Sequence, residues 1–225
     1  MRSNFFLCLM LVALETTTFG QQRPCDSGEI TGRVVDATGK PVENAEVTTL
    51  PELCVVVGLE PVALTDSNGD FRLSRVPEGP NTIFAKKEEA GYPDARFAVY
   101  TGDESKFPRI VVQPSVITSG VRVTLGKKTG TFLGNVVDAE TSIPIVAARV
   151  VITRVDNPQL MYSTSVGLKG DFRLLLPSRP SRLQVTAPGY KTWTPPDSRF
   201  TKAGVIQLGP EESIEMGVRL GKRER

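Results

Sequence analysis

The densest group of residues able to do chemistry is TDSNGDFRL, residues 65–73. Asp66, Asn68 and Asp70 alternate as oxygen ligands do around calcium. The same stretch holds Asn68-Gly69, a tight-turn signal between apolar runs. An EF-hand loop wants glycine at its sixth position and glutamate at its twelfth. Counted from Asp66, Gly69 stands fourth and Pro77 twelfth. A looser calcium site of another kind is the alternative. The reading adopted is a type I turn over Asp66–Gly69, with Asp bonding to turn amides and Gly tolerating positive φ. Phe71 and Leu73 then leave on one face, toward a core.

Other chemistry is scarce. The chain has no histidine, which removes Ser-His-Asp and Cys-His nucleophiles and His-based zinc sites. Three cysteines are present, at positions 8, 25 and 54. A Gly-rich phosphate loop is absent. The acidic pairs Glu88-Glu89, Asp103-Glu104 and Glu211-Glu212 are adjacent in sequence and turn-like in setting, so they are expected to face solvent. Asp36 and Asp138 stand at matching strand ends and are expected to hold turn amides. No catalytic residue, cofactor or metal is expected.

The elements that position these residues begin after an export signal. Arg2, the apolar run Phe5–Leu14 and the small residues Thr18 and Gly20 read as a signal peptide over residues 1–20. An uncleaved anchor is the alternative. A membrane span needs about 20 apolar residues, and no later run reaches that, so no span is expected after cleavage. The mature chain would be Gln21–Arg225, secreted or periplasmic. Removal of Arg2 and Glu15 leaves the net charge of +2 unchanged. Charges of both signs are interspersed, which excludes the basic footprint of a nucleic-acid binder. The basic end GKRER reads as a solvated terminus. Cys25 and Cys54 flank a reversal at ATGKPVEN at similar distances and are expected to form a disulfide. Two unpaired thiols are the alternative.

The mature chain is one unit written twice. TGRVVDATGKPVENAEV at 31–47 matches LGNVVDAETSIPIVAARV at 133–150, aligning Gly32 with Gly134 and Asp36 with Asp138. NGDFRL matches KGDFRL, AGY matches PGY, and VTLGKK matches VRLGKR, in the same order. Gly69 and Phe71 recur as Gly170 and Phe172, whereas Asp66 and Asn68 become Gly167 and Lys169. The turn residues repeat and two of the three ligands do not. Domains are placed at 21–126 and 127–225. Short runs rich in Val, Ile, Thr and Phe between Gly, Pro, Asn and Asp clusters predict an all-β fold. Strands are expected near 30–36, 45–50, 53–57, 62–66, 70–75, 82–87, 96–100, 109–113 and 119–125. In the second copy they fall near 131–138, 147–154, 161–166, 171–176, 182–187, 204–208 and 213–220. Strands of this number and length imply two tandem antiparallel β-sandwiches.

GRVVDATGKPVENAEV, TDSNGDFRLSRVPEG and AGY, with their second-copy counterparts, resemble the carboxypeptidase regulatory-like domain family. The resemblance implies a transthyretin-like (prealbumin/Ig-like) sandwich and a non-catalytic module of an exported protein. The repeats also resemble Cna B-type adhesin domains, some of which join a first-strand Lys to a last-strand Asn. The first strands here lack Lys and the last lack Asn, so no isopeptide bond is expected.

Two segments are candidate ligand surfaces. GYKTWTPPDSRF, residues 189–200, carries Tyr190 and the sole tryptophan, Trp193, able to stack on a sugar or anchor a protein. Closing the sandwich is the competing role, and Tyr92 at the equivalent position favours it for Tyr190. Residues 88–112 form the other, a long polar segment with four aromatic residues, or simply a longer connection. The expected function is non-enzymatic protein binding or scaffolding, with a protein or polysaccharide partner at the cell envelope. A carbohydrate-binding accessory protein is the alternative, and a transthyretin-like small-molecule carrier comes third.

Overall fold

The computed structural model describes residues 25–53, 60–100 and 107–224. The expected signal peptide, Cys54, most of the expected strand 53–57 and the pair Asp103-Glu104 lie outside the described residues.

The first copy contains β1 (Ser27–Val35), β2 (Glu46–Pro51), β3 (Val62–Leu64), β4 (Asp70–Pro77), β5 (Gly79–Lys86), β6 (Arg109–Val112) and β7 (Ile117–Thr124). They form two sheets, in the orders β4-β1-β7 and β3-β2-β5-β6. The second copy contains β8 (Thr131–Asp138), β9 (Arg149–Arg154), β10 (Met161–Ser165), β11 (Asp171–Leu175), β12 (Ser181–Thr186), β13 (Thr201–Lys202), β14 (Val205–Ile206) and β15 (Ser213–Leu220). Its sheets run β11-β8-β15 and β10-β9-β12-β14-β13. The repeat in sequence is thus a repeat in topology, and the all-β two-sandwich architecture is the one expected.

Alternation along the strands builds the cores. In β4, Phe71 and Leu73 are buried while Arg72 and Ser74 face out. They join Ile30, Val34, Val47, Ile83 and Val123 between the two sheets. The second core gathers Phe132, Val136, Val150, Ile152, Leu174, Leu183 and Val218.

One strand pair in each sandwich departs from the antiparallel expectation. β7 runs parallel to β1, and β15 parallel to β8. The chain reaches β7 from β6, which belongs to the opposite sheet. A crossing of that kind delivers a strand alongside β1 in the same direction, which a hairpin cannot do.

Gly32 and Gly134 stand at the centre of these three-stranded sheets. Gly32 pairs with Phe71 and Gly134 with Phe172. A side chain on Gly32 would run into the Val121 carbonyl oxygen and lie 2.8 Å from the Phe71 ring. On Gly134 it would meet the Met216 carbonyl oxygen and lie 2.9 Å from the Phe172 ring. The glycines repeat because the last strand and a phenylalanine close on the same spot.

The expected strand 96–100 is instead a run of turns. Asp94 accepts the Arg96 amide at 3.0 Å and grips the Arg96 guanidinium at 2.8 Å. This local capping competes successfully with a ladder.

Candidate functional site

The stretch at 65–73 is a hairpin turn. The Gly69 N–H donates to the Asp66 carbonyl at 2.9 Å, and Gly69 has φ of +75°. One Asp66 carboxylate oxygen accepts the amides of Asn68 and Asp70, each at 2.8 Å. Asp70 receives the Arg33 guanidinium in a two-point contact at 2.7 and 2.9 Å. The Asp66 and Asp70 carboxylates are therefore committed to amides and to a cation. In the second copy Gly170 N–H donates to the Gly167 carbonyl with the same φ of +75°. There the Asp171 carboxylate fills the space that an Asp66-like side chain would take. Among the described residues, no three acidic, Cys or His side chains converge to hold a metal.

The aspartates at the strand ends hold turns in the same way. Asp36 accepts the amides of Thr38 and Lys40 at 2.8 and 3.0 Å and the Thr38 hydroxyl at 2.7 Å. The Thr38 hydroxyl, ahead of the amides, keeps its carboxyl below the ordinary range. Asp138 accepts the amides of Glu140 and Thr141, both at 2.9 Å. Its second oxygen accepts the Tyr190 hydroxyl at 2.9 Å. The Thr141 and Glu140 amides, with Tyr190 adding to them, hold its carboxyl at about 2.

That value fixes the sign of an acid effect. A carboxyl depressed in the fold stabilises it fully above the unfolded value of about 3.9, and the contribution is lost as pH falls through about 2. Acid unfolding of the wild type is therefore expected to carry an Asp138 component in that window. Tyr190→Phe should raise the Asp138 titration, read by carboxyl-carbon NMR. A wild type and Asp138→Asn protein losing equal stability between pH 4 and pH 2 would show that the carboxylate holds nothing.

Tyr190 thus has its hydroxyl engaged within its own sandwich, and its ring packs against the second core. Trp193 is half-buried against the same core, and its N–H and C=O both bond to Val185, at 2.9 and 3.0 Å. Tyr92, the first-copy counterpart, is buried. The basic end is not simply solvated. Arg223 donates to the carbonyls of Gly189 and Tyr190, and the Lys191 N–H donates to the Gly221 carbonyl. The first copy repeats this, with the Thr129 N–H donating to Gly91 at 2.9 Å. The GY element of each copy therefore fastens the chain that leaves its last strand.

The acidic pairs serve ordinary roles. Glu88 and Glu89 are exposed. Glu211 pairs with Lys128 at 2.7 Å, and Glu212 accepts the Gly209 amide at 2.6 Å.

The long segment after Lys87 is the feature that sequence reasoning placed least well. It crosses to the second sandwich. Val99, only 2% exposed, is a member of the second core. The Tyr100 hydroxyl donates to the Leu175 carbonyl at 3.0 Å, and burial pushes that phenol well above its usual range. Phe97 packs on Tyr162 at 4.7 Å between ring centres. Arg173 reaches back to the Glu88 carbonyl at 2.8 Å. A cleft of about 430 Å³ lies between the sandwiches, with Val99, Tyr100, Lys127, Arg154 and Arg179 in its walls. Arg154 is itself bound to Asp156 at 2.8 Å. The motif ahead of its tip, PDARF at 93–97, recurs in the second copy as PDSRF at 196–200.

The two copies differ most on one sheet face. In β3-β2-β5, Leu64 pairs with Glu46, Val62 and Phe84 with Thr48, and Leu50 with Thr82. Val47, Ile83 and Ala85 alternate with them into the core, so these residues point outward. Leu50, Val62 and Leu64 are 52%, 57% and 64% exposed, and Val111 on β6 is 66% exposed. Phe84 is covered by Phe107 at 4.7 Å. The register of the second copy puts Thr153, Ser163, Ser165 and Gln184 at the matching places. Four apolar side chains on one face stand where its duplicate has Thr or Ser or Gln, although the duplicate keeps Val151 and the exposed Met161 on that face.

These features define a class: an all-β protein of two tandem sandwiches whose turn aspartates Asp36, Asp66 and Asp138 are spent on its own amides. Within that class, the chain belongs to the carboxypeptidase regulatory-like domain family, whose model matches residues 29–129 and 131–208. Similar solved structures include the Bacillus anthracis TIE protein, at 14% identity and a TM-score of 0.33, over 88% of this chain and 34% of that one. A streptococcal ancillary pilin is similar at 18% identity and 0.35, over 88% and 63%. The shaft pilin SpaA from Lactobacillus rhamnosus GG is similar at 13% identity and 0.33, over 89% and 99%. This chain thus spans about a third of the first and under two thirds of the second. Likeness at this level carries nothing about role. No curated protein sequence matches the chain. No helix among the described residues is long and apolar enough to cross a membrane.

Proposed function

We propose that this chain is a non-enzymatic, exported protein-binding or scaffolding module acting at the cell envelope or outside the cell. The observation that carries the reading is the outward face of Leu50, Val62, Leu64 and Val111. Duplicated sandwiches have the same folding needs on their outer faces, so folding does not explain the contrast with Thr153, Ser163 and Ser165. An exposed apolar patch rimmed by charges such as Glu46, Lys86 and the Arg109–Glu52 pair suits a protein partner better than a sugar. A glycan platform would need an open aromatic face, and both Tyr190 and Trp193 lean on the core.

The test is cross-linked capture with mature Gln21–Arg225 as bait in envelope and secreted extracts of the native cell. One dominant protein is expected, and Val62→Lys with Leu64→Lys should cut its recovery at least about tenfold at unchanged melting temperature. Equal recovery with that variant would refute the apolar face as the contact. Recovery of polysaccharide, abolished by Trp193→Ala, would replace the reading with carbohydrate binding.

A further inference from the structure

We propose that residues 88–100 are a strap by which the first sandwich completes the second, so that the two unfold as one unit. A connection that merely ran between strands would lie on the surface of its own module. This one delivers Val99, 2% exposed, into the core of the neighbouring module. Around that anchor, Phe97 and Tyr100 both pack on Tyr162, at 4.7 and 5.6 Å between ring centres. Tyr162 sits on β10, the edge of its sheet, and the Tyr100 hydroxyl reaches Leu175 on β11, the edge of the other. The strap therefore closes the open flank between the two sheets of the second sandwich.

Its root is fixed as well as its tip. The Thr129 N–H of the linker donates to Gly91, and Lys128 lies over the Tyr92 ring at 5.6 Å while pairing with Glu211. Asp94 and Arg96 lock the bend, and Arg96 also pairs with Glu60 at 2.7 Å. The second copy provides an internal comparison. There the motif PDSRF folds back on its own module, with Asp197 accepting the Ala203 amide at 2.7 Å and Arg199 lying over Phe200. The same five-residue pattern stays at home in one copy and crosses in the other. The segment that follows it, Ala98-Val99-Tyr100, supplies the apolar tip that enters the neighbour.

Trp193 reports on the second sandwich alone, so a residue of the first copy should move its signal only through the strap. In the full chain, Val99→Ala is expected to lower the urea midpoint of the Trp193 fluorescence transition. Amide exchange in β10 and β11 should rise by about tenfold or more. Tyr100→Phe, which keeps the ring and removes one hydrogen bond, should raise exchange in β11 by a smaller factor without threatening folding. Faster exchange confined to residues 88–100, with β10, β11 and the Trp193 midpoint unmoved in both variants, would overturn the proposal.

Discussion

Gly134→Ala is expected to destabilise the protein by about 3 kcal/mol, with Gly32→Ala close behind it. A methyl group on Gly134 has nowhere to go, because the Met216 carbonyl oxygen and the Phe172 ring already occupy its place. The ring lies 5.0 Å from that of Phe132 and so cannot swing freely. Relief requires β15 to move off β8, and the two are paired from Ser213 to Leu220. The urea midpoint read by Trp193 fluorescence should fall by about 1–2 M. Gly126→Ala and Gly221→Ala serve as controls, since nothing lies within 4 Å of either added methyl. They should change stability by less than about 0.5 kcal/mol. If Gly134→Ala behaves like the controls, the close approach of strand and ring is not what holds these sheets.

The same glycine shows what the sequence made legible. Gly32 and Gly134 repeat with Phe71 and Phe172, and a repeat of that kind exposes a local packing rule without any coordinates. Turn chemistry was equally readable. Asp66, Asp36 and Asp138 sit beside the amides they bond, so short-range sequence contains the whole interaction. The parallel closure of β7 on β1 was not readable, because strand patterns give faces and not directions.

The strap escaped for a similar reason. Val99 and Tyr100 look like a half-buried strand in a pattern of alternating residues. The partners of Tyr100 are Tyr162 and Leu175, which stand more than 60 residues away in the other copy. The aromatic residues of that segment read as a ligand surface or a longer connection, and neither reading points to the other copy. The apolar face of the first sandwich was hidden differently. Leu50, Val62, Leu64 and Phe84 are spread over three strands and converge only when register is known. Comparing them with Thr153, Ser163, Ser165 and Gln184 then separates what the fold requires from what one copy adds.

Reducing the protein is expected to cost the first sandwich about 3–4 kcal/mol, the loop-entropy value for a closed loop of roughly 30 residues between Cys25 and Cys54. The pairing is a proposal that rests on the residues beside the cysteines. The Asp26 carbonyl accepts the Glu78 amide at 2.9 Å, and the Pro80 carbonyl accepts the Glu52 amide at 3.0 Å. Leu53 stands 3.5 Å from where a side chain on Gly79 would begin. Both chain segments are therefore fastened at one corner, residues 78–80, where β4 passes into β5. Cys25 is one residue beyond the first attachment and Cys54 one residue beyond Leu53. A bond there would tie the start of β1, in one sheet, to the end of β2, in the facing sheet. Cys25→Ala, Cys54→Ala and the double variant should all lose the same stability, because removing either sulfur removes the whole link. Reductant should lower the midpoint of the wild type and of none of the three variants. Additive losses in the double variant, or two titratable thiols in the native protein purified from an oxidising compartment, would show that the sheets are held by packing alone.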